Sequence, residues 1–99
     1  VKNIPLRVLP DPNAPDVQGA EIRSIDVIRN VVRQPKDRQA GASIEEIRRG
    51  IHILDALDAA NGSLELEDAD YAELRDKTMV MPWGMVDKRL LQIIDDILD

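Results

Sequence analysis

Apolar residues recur along this chain with two periods, and the switches between them mark its elements. Ile44, Ile47, Ile51 and Leu54 follow one another at steps of three and four, with Ile53 and Leu57 widening the stripe, which predicts an amphipathic helix. Ser43 precedes that stripe and Glu46 stands three residues later, so hydroxyl and carboxylate are placed to satisfy two unpaired backbone amides reciprocally. Glu45 is in reach of Arg49, and Asn61-Gly62 supplies a left-handed stop. An earlier helix, from Ser24 or Asp26 to Gln34, follows from Ile25, Ile28, Val31 and Val32. Pro35 ends it, because the residue before a proline is disfavoured in helical geometry. A third helix starts near Asp68, with Tyr71 and Leu74 facing inward and Glu73 set to pair with Lys77. MVMPWGMVDK introduces a fourth, with Pro82 at its first position and Val86, Leu90, Ile93, Ile94 and Ile97 as a broad apolar face beside Leu91 and Leu98. Asp95, Asp96 and Asp99 gather at its C-terminal end, where the helix dipole disfavours negative charge. Either that end frays, or the natural chain continues and a partner meets it.

Alternation with a period of two is confined to short pieces. Ile4, Leu6 and Val8 form one, and Leu64 and Leu66 another. Neither is long enough to stand alone, so a ladder between residues 4–8 and 63–66 is expected, with Pro5 restricting the first to a sheet edge. Pro10 to Gly19 is rich in proline, aspartate and glycine and reads as a loop or arm. The fold class expected is mainly α: three to four short helices around an aliphatic core, with room for a minimal two-stranded β element. Residues 1–99 make a single small domain, of which residues 1–22 are an extended arm and loop.

Composition sharpens the picture by exclusion. A chain of 99 residues has room for one modest core. Without cysteine it has no disulfide, no thiolate nucleophile and no cysteine-based metal site. With no Phe, one Tyr and one Trp, the core must be filled by Ile, Leu and Val, and no platform for stacking bases exists. The formal charge is -6, from 13 basic and 19 acidic side chains. Residues 1–50 carry nine basic and seven acidic groups, whereas residues 51–99 carry four and twelve. The second half therefore repels a phosphate backbone. No apolar run approaches the length of a membrane span, and a cytoplasmic protein with no membrane partner is expected.

Candidate chemistry is sparse. The order helix, Asn61-Gly62, acidic run, helix has the silhouette of a calcium-binding hand, but with Gly62 at the sixth loop position Leu57 and Ala59 fall where oxygen ligands are required. His52 is the only histidine, and no metal-binding spacing surrounds it. Ser24, Ser43 and Ser63 lack the strand-to-helix elbow of an activated nucleophile. Asp55 with Asp58, and Asp95 with Asp96, read as solvated helix faces, and no glycine-rich phosphate loop is present. A non-enzymatic protein is expected, with no catalytic residue, metal, cofactor or small-molecule substrate.

Two groups of side chains point instead to binding. Met79, Met81, Trp83 and Met85 crowd into seven residues and are of the types that anchor protein interfaces, although Trp83 also suits the base of a small core. Arg23, Arg29, Arg33, Arg48 and Arg49, with Lys36 and Arg38, form an anionic-partner patch if the first two helices align. The connector from Pro35 to Ala42 is longer than the turn of a helix-turn-helix unit, which counts against DNA.

The order of pieces resembles that of small head and tail morphogenesis proteins of tailed bacteriophages and prophages, including tail-assembly chaperone-like and adaptor-like members. The resemblance runs from Ile4 to Leu98 through IDVIRNVV with Gln34-Pro35, EEIRRGIHILDAL, LELEDADYAEL and LLQIIDDIL. It lies in lengths and apolar spacing and carries no catalytic motif. It implies a structural or assembly factor in virion or tail assembly that acts by protein binding or self-association in the host cytoplasm. A DNA-binding or transcription-regulatory module using the Arg-bearing first half is the alternative.

Overall fold

The computed structural model describes residues 1–13 and 20–99, so most of the expected Pro10–Gly19 loop lies outside the described residues. The chain runs β1 (Lys2–Pro5), β2 (Val8–Leu9), β3 (Ile22–Arg23), α1 (Ser24–Arg33), α2 (Ile44–Ala59), β4 (Ser63–Leu66), α3 (Asp68–Val80) and α4 (Lys88–Leu98).

Alternation explains the first ladder. β1 pairs antiparallel with β4, Ile4 opposite Leu64 and Lys2 opposite Leu66, which turns Ile4, Leu64 and Leu66 inward and leaves Asn3 and Glu65 in solvent. Gly62 leads into β4 with φ +81, a conformation that needs no Cβ, and its carbonyl accepts from the Leu6 amide at 3.0 Å. A second ladder, Val8–Leu9 against Ile22–Arg23, was not foreseen. Among the described residues the architecture is therefore four helices plus two small antiparallel ladders, mixed rather than purely helical, with one ladder more than the two-stranded element expected. The ladder passes directly into α1: Ser24 is buried, its hydroxyl accepts from the Arg7 amide at 2.8 Å, and its own amide donates to the Arg7 carbonyl at 2.9 Å.

The core is aliphatic. Ile28, Val31 and Val32 of α1, Ile53 and Leu57 of α2, Leu74 of α3 and Ile93 and Ile97 of α4 close over Ile4, Leu64 and Leu66. Tyr71 and Trp83 pack only at its margin. Tyr71 donates its hydroxyl to the Ile97 carbonyl at 2.8 Å, tying α3 to the end of α4.

Four expectations change. The buried face of α2 is Gly50, Ile53 and Leu57, not the Ile44–Ile47–Ile51 row, which is half or more exposed. Gly50 is the reason: a Cβ there would lie 3.4 Å from the Val32 side chain, so α1 crosses α2 where α2 has no side chain. Ser43 does cap α2, accepting from the Glu46 amide at 3.1 Å, but the Glu46 carboxylate turns away toward the Lys36 amide and the Lys77 ammonium. Glu73 and Lys77 do not pair with each other; Glu73 meets Lys36 at 2.7 Å. Finally, α4 begins at Lys88, not near Pro82, because Asp87 is the residue that caps it.

The acidic end of α4 has a partner within the chain. Arg7 forks onto both carboxylate oxygens of Asp96, fastening the N-terminal segment to the last helix. Among the described residues no helix is long and apolar enough to cross a membrane.

Candidate functional site

Pro82 sets the local geometry. It forces Met81 into extended backbone, with φ -66 and ψ 126, so α3 stops at Val80 and residues 81–87 run without helix or strand. Trp83 then folds back on α3, its indole N–H donating to the Thr78 carbonyl at 3.4 Å, one of the carbonyls that the helix end leaves unpaired. One part of the ring packs against the aliphatic core and the rest stays accessible.

Asp87 closes the segment. Its carboxylate accepts from the Arg89 amide at 2.8 Å, capping α4, and from the Arg89 guanidinium at 2.9 and 3.2 Å. These side-chain and backbone hydrogen bonds from Arg89 hold the Asp87 carboxyl below its ordinary value. Arg89 reaches on to the Ala20 carbonyl at 2.8 Å and lies 3.4 Å from that of Leu9, so it clasps the two chain segments that flank the Pro10–Gly19 stretch. The segment from Met81 to Asp87 is thus fixed at both ends.

Between these fixed ends the surface is apolar and concave on both sides of Trp83. One hollow, of about 280 Å³, is lined by Trp83, Met85, Val86, Leu90, Leu91 and Ile94. The other, of about 300 Å³, is lined by Ile22, Val27, Met81, Trp83, Met85 and Leu90. Val86 is fully exposed, and Leu91 and Met85 are more than half exposed. The structure brings Met81, Trp83 and Met85 together, while Met79 stands 67% exposed on the last turn of α3 and lines neither hollow. Val86 was expected in the broad apolar face of the last helix and Leu91 beside it. The signal that they belong to a surface is that α4 and its lead-in carry more aliphatic residues than one side of so small a core can cover.

Three of the arginines expected in an anionic-partner patch are already paired. Arg23 pairs with Glu21 at 2.7 Å, Arg29 with Asp58 at 3.0 Å and Arg49 with Glu45 at 3.2 Å. Arg33 and Arg48 are exposed and form no ion pair among the described residues. Carboxylates thus pair with three of these five arginines.

A larger hollow, about 530 Å³, lies elsewhere, at the junction of α2, β4 and α3, lined by small and acidic side chains such as Ala59, Glu65, Glu67 and Asp70. It spans the stretch with the calcium-hand silhouette, where Ser63–Leu66 is committed to the ladder with β1 rather than to a ligand loop. Among the described residues no group of three or more acidic or histidine side chains is disposed to hold a metal ion. His52 lies exposed on α2, and Ser24 is engaged with the Arg7 backbone.

No protein-family model matches the chain, and a search of curated proteins and of solved structures finds no significant match to it.

Proposed function

We propose that this chain is a non-catalytic protein-binding module that docks a partner on the apolar surface formed by Trp83, Met85, Val86 and Leu91. The observation that carries this reading is the pair of apolar hollows on either side of one tryptophan, with fully exposed Val86 lining one of them. Aromatic and methionine side chains in concave, rigidly held settings are the usual anchors of protein interfaces. Rigidity matters because a surface ordered beforehand loses less entropy on binding. Here the Trp83–Thr78 bond, the Asp87 cap and the Arg89 clasp supply it.

The resemblance in lengths and apolar spacing to small phage morphogenesis proteins favours a partner within a virion or tail assembly, in the host cytoplasm. Binding of DNA through the first half is the less supported reading, since Arg23, Arg29 and Arg49 already face carboxylates.

Site-specific photocrosslinking tests the proposal. A photoreactive side chain at Val86 is expected to yield a covalent adduct of one defined mass in the native cell, and the same group at exposed Arg75 of α3 to yield none. Equal labelling from the two positions, or no adduct from Val86, contradicts a docking surface there.

A further inference from the structure

The row on α2 that the core leaves uncovered has its own chemistry. Ile44, Ile47 and Ile51 are 71%, 50% and 51% exposed, and partly buried Leu54 continues the spacing of three, four, three. That is the seam spacing of one helix against another. Beside the row runs a groove of about 170 Å³, lined by Arg33, Pro35, Ile47, Ile51 and Leu54.

Charge selects the occupant. Arg33 lies on the groove wall, and Arg48 follows Ile44 by four positions and precedes Ile51 by three, so the two bracket the row. Both are exposed and free of ion pairs among the described residues. Of the carboxylates on α2, Glu45 pairs with Arg49, Glu46 turns inward to Lys77 and the Lys36 amide with its side chain 11% exposed, and Asp58 pairs with Arg29, while exposed Asp55 stands beside the far end of the row, four residues beyond Ile51. The Ile44–Ile51 part of this apolar row thus has a positive rim in an otherwise acidic protein.

We propose that this face is a second docking surface and that it takes an acidic amphipathic helix, with aliphatic residues in the isoleucine row and Asp or Glu side chains against Arg33 and Arg48. A second copy of the chain is a poorer occupant. Arg48 stands near the middle of the row, and a twofold antiparallel pairing centred there sets it against its own counterpart. With the Trp83 surface, this face makes the module two-sided, able to join two proteins. It stands on different residues and survives failure of the Trp83 reading.

The probe is a synthetic helix of about 15 residues with Leu or Ile at seam spacing and flanking glutamates, compared with a copy carrying lysines in their place. Titrations followed by amide chemical shifts are expected to give saturable changes confined to residues 33–54 with the glutamate peptide, and binding weaker by roughly tenfold or more with the lysine peptide. Arg33→Glu with Arg48→Glu is expected to reverse that preference. Ile47→Asp is expected to abolish binding of both peptides while the circular dichroism stays native. Equal affinity for the two peptides, shifts centred elsewhere, or no binding overturns the proposal. So does a dimer in sedimentation equilibrium that Ile47→Asp dissolves, which assigns the face to a second copy.

Discussion

Lys77 of α3 donates its ammonium to the Val32 carbonyl at 2.9 Å and to the Gln34 carbonyl at 2.8 Å, so a side chain 4% exposed caps the C-terminal end of α1. A cation suits that end of a helix dipole, and Glu46 stands 3.8 Å away to balance the charge. Lys77→Met leaves two carbonyls without their donor and a nearly buried carboxylate without its cation. It is expected to destabilise the fold by about 3 kcal/mol in urea denaturation. Glu46→Gln added to Lys77→Met is expected to restore part of that loss, and a purely additive double variant contradicts the coupling.

Ser43 acts on α2 without help from the Glu46 carboxylate. Ser43→Ala is expected to cost about 1 kcal/mol, the loss of one cap. A reciprocal capping box would make that cost depend on Glu46; here Ser43→Ala is expected to cost the same within about 0.5 kcal/mol when Glu46 is Gln. A double-mutant cycle checks it.

Acid should unfasten the lead-in to α4. Asp87 titrates below its ordinary value of 3.8 because Arg89 donates to it from side chain and backbone. A carboxyl depressed in the folded state adds stability that is complete above its unfolded pKa and is lost as pH falls through the folded one. Stability is therefore expected to fall on acidification below about pH 4, and Asp87→Asn, which keeps an acceptor for the cap, is expected to make that acid limb shallower. Urea midpoints of the two proteins from neutral pH to about pH 2 compare them; identical acid limbs contradict the Asp87–Arg89 coupling.

Trp83 divides its ring between core and surface. Trp83→Ala is therefore expected to cost about 2 kcal/mol, less than truncation of a fully buried tryptophan, and to leave the chain folded. Thermal melts with circular dichroism measure it. An unfolded variant assigns the residue to the core alone, and an unchanged melting temperature assigns it to the surface alone.

Short-range signals in the sequence carried much of the fold. Ser43 at the start of α2, Pro35 beyond α1, and Ile4 facing Leu64 are local or period-two features, and each emerges where the residues place it. What failed depended on contacts far apart in the chain. The face that α2 buries is decided by Gly50 meeting Val32, and glycine adds nothing to a hydrophobic stripe. Glu73 and Lys77, a turn apart, are both buried and take partners brought to them from elsewhere in the chain, Lys36 and the carbonyls at the end of α1. The acidic end of α4 found Arg7, 89 residues away. At the Trp83 site the methionines and tryptophan were legible as interface types. Val86 and Leu91 were not, because helical spacing alone does not distinguish a core face from a wide face half left in solvent.

Val86 and Leu91 provide the sharpest test, since both are exposed and their replacement removes no core contact. The decisive measurement is the yield of partner adduct from a photoreactive group at Met85, in the otherwise native chain and in Val86→Glu/Leu91→Glu, with the melting temperature recorded for each. Two charges placed in the hollow beside Trp83 are expected to lower the adduct roughly tenfold or more while the melting temperature shifts by no more than about 3 °C. An undiminished adduct on an equally stable double variant contradicts docking at this surface.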